Sequence, residues 1–157
     1  MRCENYVVDD DADRIDVDIV HSFLSKQAPW AANIPRETVV RSLRTSLCLG
    51  AYTTGGAQVG FVRVVTDNAT FAWICDVFVL PEHRGCGLGD RLVRAAIEHP
   101  RVAGVRRVLL ATTDAHGLYS RWGFSPVPDH QFMEICRAPR QLWPESTEVT
   151  SIRANGH

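Results

Sequence analysis

Residues 73–91 read WICDVFVLPEHRGCGLGDR. The first part, Trp73–Leu80, is rich in β-branched and aromatic residues and carries one carboxylate, Asp76, the pattern of a buried strand. Pro81 stops it. RGCGLG then sets Gly85, Gly87 and Gly89 ahead of RLVRAAIEH, where Leu92, Val93, Ala96 and Ile97 share one face of a helix. Glycines at a strand-to-helix turn let a ligand approach the main chain, and the first N–H groups of a helix have no partner inside it. Together they predict an anion site, with phosphate first among anions. The spacing is neither the GxxxxGK[ST] loop nor the GxGxxG fingerprint, so nucleotide sites of those two kinds are not indicated.

Upstream, SLCLGAYTTGGAQVGFVRVVTDNATFAWICDVFVL holds three β-rich runs joined at TTGGAQ and TDNAT, which reads as a meander. Asn5–Val8 is a short candidate strand. The acidic run DDDADRIDVD after it is read as a solvated loop that places acids at a helix start, where the dipole favours them. Ile15, Ile19, Phe23 and Leu24 stand at helical spacing up to Pro29. Pro35 opens a second helix with Val39, Val40 and Leu43 as its stripe.

Downstream, Arg107–Thr112 predicts a buried strand, DAHGLYSRWGF a short helix ended by Gly123, and Phe132–Cys136 a last strand. The order β, α, α, β, β, β, α, β, α, β predicts a mixed α/β sheet with one parallel join. One domain over residues 1–137 is expected, with a polar tail at 138–157 ordered in part at most.

The chain has 157 residues, 45% hydrophobic and 22% charged, with a formal net charge of −1. Such a balance gives no general basis for binding nucleic acid or an anionic membrane. No apolar run has spanning length and no signal-peptide pattern opens the sequence, so a cytoplasmic protein is expected. The five cysteines are scattered, with no CxxC pair, and no metal site is predicted. Cys48, Cys75 and Cys136 read as small buried hydrophobes in a reducing compartment.

Arg84-Gly85-Cys86-Gly87-Leu88-Gly89 resembles the R/Q-x-x-G-x-G/A signature of the GCN5-related N-acetyltransferases, the GNAT superfamily. DAHGLYSRWGF resembles that family's second signature, A-x-x-L-Y-x-x-x-G-F. The likeness extends loosely over residues 5–136. It implies a mixed, mostly antiparallel central sheet with a β-α-β crossover and helices on both faces. It also implies acetyl-CoA as co-substrate, without a metal, and transfer of its acetyl group to a primary amine in a ternary complex.

The resemblance assigns the cofactor pyrophosphate to Gly85, Cys86, Gly87, Leu88, Gly89 and Asp90, with Arg84 preceding the turn. Cys86 falls at a variable position and is read as a bystander. The pantetheine arm falls to the main chain of Val77, Phe78 and Val79, and the Val79 N–H to the developing oxyanion. Tyr119 stands at the family's tyrosine position and is the candidate acid for the leaving thiolate. Thr112 stands where many members have an asparagine that contacts the cofactor.

For the remaining proton, Asp76 and His116 are both candidates; Asp76 is equally a substrate-ammonium ligand or a structural partner for an arginine. Trp30 is a candidate wall of the acceptor site. Arg63 is a candidate partner for a substrate carboxylate, or for Asp67 or Asp76. The acceptor is a small-molecule amine of open identity. The alternatives are a protein amine, or a domain that binds acyl-CoA without turnover. Homodimers are common in that family, often through the C-terminal strands.

Overall fold

A computed structural model describes residues 3 and 5–145. Five strands form one sheet in sequence order: β1 (Val7–Asp9), β2 (Leu47–Tyr52), β3 (Gln58–Thr66), β4 (Phe71–Val79) and β5 (Arg107–Leu110). The first three joins are antiparallel and β4–β5 is parallel, as the order of elements predicts. The helices are α1 (Val17–Gln27), α2 (Arg36–Arg44), α3 (Leu88–Glu98), α4 (His116–Ser120) and α5 (Pro139–Leu142).

Strand alternation divides the core between the two sheet faces. Leu49, Val62, Val64 and Ile74 pack with Leu88, Leu92 and Ala96 of α3. Cys48, Phe61 and Phe78 pack with Val20, Phe23, Leu24 and Val39 of α1 and α2, and Phe23 stacks on Phe78 at 4.0 Å. Every residue of β2 is buried, which is why it reads as a continuous apolar run.

The acidic run behaves as local chemistry predicts. Asp16 caps α1, its carboxylate accepting from the N–H groups of Asp18 and Ile19, a contact that contributes about 1 kcal/mol in comparable helices. The Asp16 N–H in turn donates to Gln58 Oε1 at 2.6 Å, which ties the start of α1 to the sheet. At the β3–β4 turn the Asp67 carboxylate accepts from the N–H groups of Ala69, Thr70 and Phe71 and from the Thr70 hydroxyl. Those bonds, the Thr70 hydroxyl foremost, hold its carboxyl far below the usual range. Asp67 is therefore a turn residue and not the partner of Arg63.

Several expectations need correction. Phe132–Cys136 is not a strand: it runs without a ladder partner among the described residues, and Met133 and Ile135 are 98% and 88% exposed. A short apolar run makes a strand only where a sheet edge receives it. Cys136 is likewise exposed and not buried. Finally, Cys86 is no bystander, since it forms a disulfide with Cys3 across a sequence separation of 83. The first strand begins at Val7 and not Asn5, and β5 ends at Leu110 and not Thr112. Of the predicted tail, α5 is helical and residues 146–157 lie outside the described part.

Candidate active site

The sheet opens along β4. Its pairing with β5 runs from Phe71–Arg107 to Ile74–Leu110 and stops, while β4 continues from Cys75 to Val79 without that neighbour. On the other side, the register with β3 jumps from Phe61–Phe78 to Arg63–Cys75, so Asp76 and Val77 together face Val62. This is a β-bulge, and Asp76 takes the left-handed conformation it needs, with φ 54°. Aspartate tolerates that conformation better than most side chains.

The bulge decides which main-chain groups face the opening. Leu80 donates its N–H to Val59 O at 2.8 Å, and the Phe78 carbonyl lies on the β3 side, against Gly60. By alternation, the N–H and C=O of Val77 and Val79 turn away from β3, toward the gap. Among the three residues read as pantetheine contacts, Phe78 thus has its main chain engaged with β3 and its ring in the core.

The Asp76 side chain is fully engaged. Oδ1 accepts from Trp30 Nε1 at 3.0 Å, and Oδ2 accepts from Arg63 Nε at 2.8 Å. Arg63 Nη1 reaches Ser46 Oγ at 3.2 Å. The Asp76 and Arg63 side chains are 8% and 19% exposed, so the pair is shielded and mutually neutralised. Trp30 itself is 57% exposed, with its indole standing over the bulge. The three residues proposed from sequence as acceptor contacts are thus one bonded group. Next to it, burial pushes the Cys75 thiol up to about 12, so it is no nucleophile near neutrality.

The glycine loop follows. Gly85 and Gly87 sit at φ 81° and 72°, conformations that demand glycine. Gly89 is different: its φ is unexceptional, and a Cβ there would meet nothing within 4 Å. Among the described residues nothing requires Gly89 to lack a side chain, and its main chain is open to close approach. Leu88, 2% exposed, roots the turn in the core. No N–H from Gly85 through Asp90 finds a main-chain or side-chain acceptor among the described residues. An unbroken row of donors at the head of an 11-residue helix is a strong anion cradle.

The loop's charged groups are placed by other bonds. Arg84 Nε donates to Val79 O at 2.9 Å, and Arg91 Nη2 to Tyr6 O at 2.8 Å. Tyr6 OH also bonds His83 Nδ1 at 2.9 Å, so the N-terminal segment is fastened to this corner at several points. Cys3 escaped the sequence reading because nothing in its spacing marks a partner so distant along the chain.

The second motif supplies α4. Thr112 Oγ1 accepts from the Ala115 N–H at 3.0 Å and shapes the turn before it; Gly123 at φ 87° ends it. Tyr119 is half-buried with its ring edge-on to Phe124 at 5.9 Å. Burial, helped by the charge of Asp114, pushes its phenol above the ordinary tyrosine value. His116 is exposed at the first helical position. No hydrogen bond joins Tyr119 or His116 to the Asp76 group among the described residues. A link that the sequence did not reveal runs from Trp122 Nε1 to Asp90 Oδ1 at 2.7 Å, with Arg94 over the same indole at 5.2 Å.

A cavity of about 440 Å³ lies along the outer edge of β5, between Ile97, Trp122 and Pro128. It contains none of Asp76, the glycine loop or Tyr119, so it is separate from this centre. Among the described residues, no three His, Cys, Asp or Glu side chains are placed to hold a metal ion, and no helix is long and apolar enough to cross a membrane.

Opened β4, donor cradle and following Tyr helix occur here in one sheet, and residues 17–124 match the family model for the acetyltransferase (GNAT) family. The chain belongs to that family. It is 33% identical over 138 residues to a Gibberella zeae protein described as an acetyltransferase, covering 74% of this chain and 77% of that one. The N-acetyltransferase YjhQ of Escherichia coli is 32% identical over 108 residues, covering 65% of this chain and 57% of YjhQ.

Among solved structures, a GNAT-family protein from Xanthomonas campestris superposes with TM-score 0.83 at 44% identity, covering 88% of this chain and 97% of that one. A Deinococcus radiodurans protein described as an acetyltransferase shares the fold at TM-score 0.68 and 21% identity, covering 85% of this chain and 91% of that one. As a GNAT acetyltransferase, this chain keeps both signature stretches, Arg84–Gly89 and Asp114–Phe124, with Thr112 the departure from the commoner pattern.

Proposed function

We propose that this acetyltransferase moves the acetyl group of acetyl-CoA to a primary amine of a small molecule by direct attack in a ternary complex. The observation that carries the reading is the unbroken row of N–H groups from Gly85 to Asp90 with no acceptor among the described residues, beside a β4 that has parted from β5. The row suits a pyrophosphate, and the vacant side-chain position at Gly89 lets it approach the main chain. Val77 and Val79 offer main-chain groups to the pantetheine arm, and in this reading the Val79 N–H stabilises the oxyanion.

Tyr119 then serves as the acid. A phenol held protonated by burial can give its proton to a leaving thiolate throughout the neutral range. Asp76 takes a different part from a base, since both its oxygens already accept bonds. It holds the bulge and anchors Trp30, whose exposed face forms a wall for the acceptor. With Arg63 and Asp76 neutralising one another, the acceptor is selected by that wall and not by a free buried charge. His116, open to solvent, relays the ammonium proton to water.

The test is a panel of primary amines with acetyl-CoA, following free thiol, in the wild type and Tyr119→Phe. Turnover on an amine that falls sharply in the variant supports the assignment. Equal rates remove Tyr119 from the chemistry, and acetyl-CoA binding without turnover on any amine or protein N-terminus turns the reading to a binding domain.

A further inference from the structure

Cys86 lies inside the row of cradle donors, one residue before the Gly87 cap of α3, and its sulfur is bonded to Cys3. We propose that the Cys3–Cys86 bond is a thiol–disulfide exchange site that accepts a low-molecular-weight thiol and thereby sets the affinity of the phosphate cradle. The second half of this statement rests on the reading of the loop given above; the exchange itself does not.

The two sulfurs are unlike. Cys3 is exposed, whereas Cys86 is partly buried against the α3 side of the core. An incoming thiolate therefore reaches Cys3 first. Exchange also favours the better leaving group, and a sulfur at the positive end of a helix departs as a stabilised thiolate. The step is RS⁻ attacking Cys3 Sγ: an RS–Sγ bond forms, the Sγ–Sγ bond breaks, and its electron pair leaves on Cys86. A second thiolate attacking the mixed disulfide returns Cys3 as a thiolate and carries away RSSR. The oxidant for closure is a disulfide of the same small thiol, by the reverse steps.

Opening the bond has two consequences for the cradle, both in one direction. The Cys86 sulfur, uncharged in the disulfide, becomes a negative group among N–H donors that would otherwise face phosphate oxygens. The cross-link that fastens the loop to the N-terminal segment is lost, which leaves, among the described residues, the Tyr6 bonds to His83 and Arg91 at that corner. The disulfide form is thus the form that binds acyl-CoA well.

The experiment has two arms. In the first, air-oxidised protein is incubated with reduced glutathione and its intact mass and peptides are measured. One glutathione on Cys3, with Cys86 free, is expected; no adduct, or an adduct on Cys86, overturns the exchange. In the second, acetyl-CoA affinity is measured by titration calorimetry for the oxidised protein, for the protein treated with dithiothreitol, and for Cys3→Ser. A loss of roughly fivefold is expected on reduction, reversed by reoxidation. Cys3→Ser is expected to match the reduced form and to ignore dithiothreitol.

Equal affinity in the oxidised and reduced wild type overturns the coupling, even if the variant fails to fold. Exchange at Cys3 with no acetyl-CoA binding in either state overturns the cradle reading instead, and with it the coupling.

Discussion

Arg63 Nε and Asp76 Oδ2 lie 2.8 Å apart at the place where β4 bulges away from β3 and leaves β5. Both side chains are largely shielded from water, so neither is a spare charge for a ligand. The same carboxylate also holds the Trp30 indole N–H, which makes one residue responsible for the backbone distortion and for the loop above it.

Removing that carboxylate should be costly in a graded way. Asp76→Ala leaves Arg63 without its counter-charge and puts a β-carbon residue with no local hydrogen bond at φ 54°; a loss of about 3–5 kcal/mol is expected. Asp76→Asn keeps an acceptor for one partner and tolerates the left-handed backbone, so its loss should be less than half as large. Urea denaturation of the three proteins checks this. Equal losses would show that charge and conformation do not both matter.

Gly89→Ala separates binding from folding. Its Cβ meets no atom of the chain within 4 Å and its position is in the first turn of α3. Alanine there should leave stability unchanged or raise it by about 0.5–1 kcal/mol. Acetyl-CoA affinity should nevertheless fall at least about tenfold, because the methyl group stands where the phosphate would approach. Thermal melting and calorimetric titration read the two effects independently, and an affinity equal to wild type would remove Gly89 from the cradle.

Tyr119→Phe should lower kcat by about a hundredfold or more if the phenol supplies the leaving-group proton, with the KM for acetyl-CoA changed little. The wild-type pH profile carries the sign. An acid works while protonated, and this phenol's value is raised above 10.0 by burial and by Asp114. Loss of the acid form is therefore centred above that ordinary value, so any tyrosine-dependent decline in rate should have its midpoint above pH 10.0. A Tyr119-dependent fall with its midpoint below 10.0 would contradict the buried, protonated phenol.

The three thiols outside the disulfide should separate by reactivity. Burial pushes Cys48 up to about 11 and Cys75 up to about 12, while Cys136 is exposed. Iodoacetamide at pH 8 should label Cys136 first and leave Cys48 and Cys75 untouched until the protein is unfolded. Peptide mapping after timed labelling measures it. Early modification of Cys75 would mean that the mouth of the β4–β5 opening is wetter than its burial indicates.

Much of the architecture was legible because it is written in local periodicity. The β2–β4 runs, the α3 stripe and the glycine turn each announce themselves within a window of ten residues or so, and the structure places them as read. The cradle was legible for the same reason, since unpaired N–H groups follow from a strand, a glycine turn and a helix in succession.

What escaped depends on contacts between distant segments. Asp76 was recognisable as an anomaly in an apolar strand, yet its partners lie 13 and 46 residues away, and only the fold selects Arg63 and Trp30 over Asp67 or a substrate. The Cys3–Cys86 bond gave no signal at all, being a matter of where the N-terminal segment crosses the sheet edge. Phe132–Cys136 failed the other way: its apolar composition was real, but no strand of this sheet lies alongside it.

The bond from Trp122 to Asp90 gives the protein a mechanical property. It braces the first turn of α3 directly against the end of the α4 turn, so the donor row of the glycine loop and the phenol of Tyr119 are tied through a single side-chain bond as well as through the long stretch of chain between them.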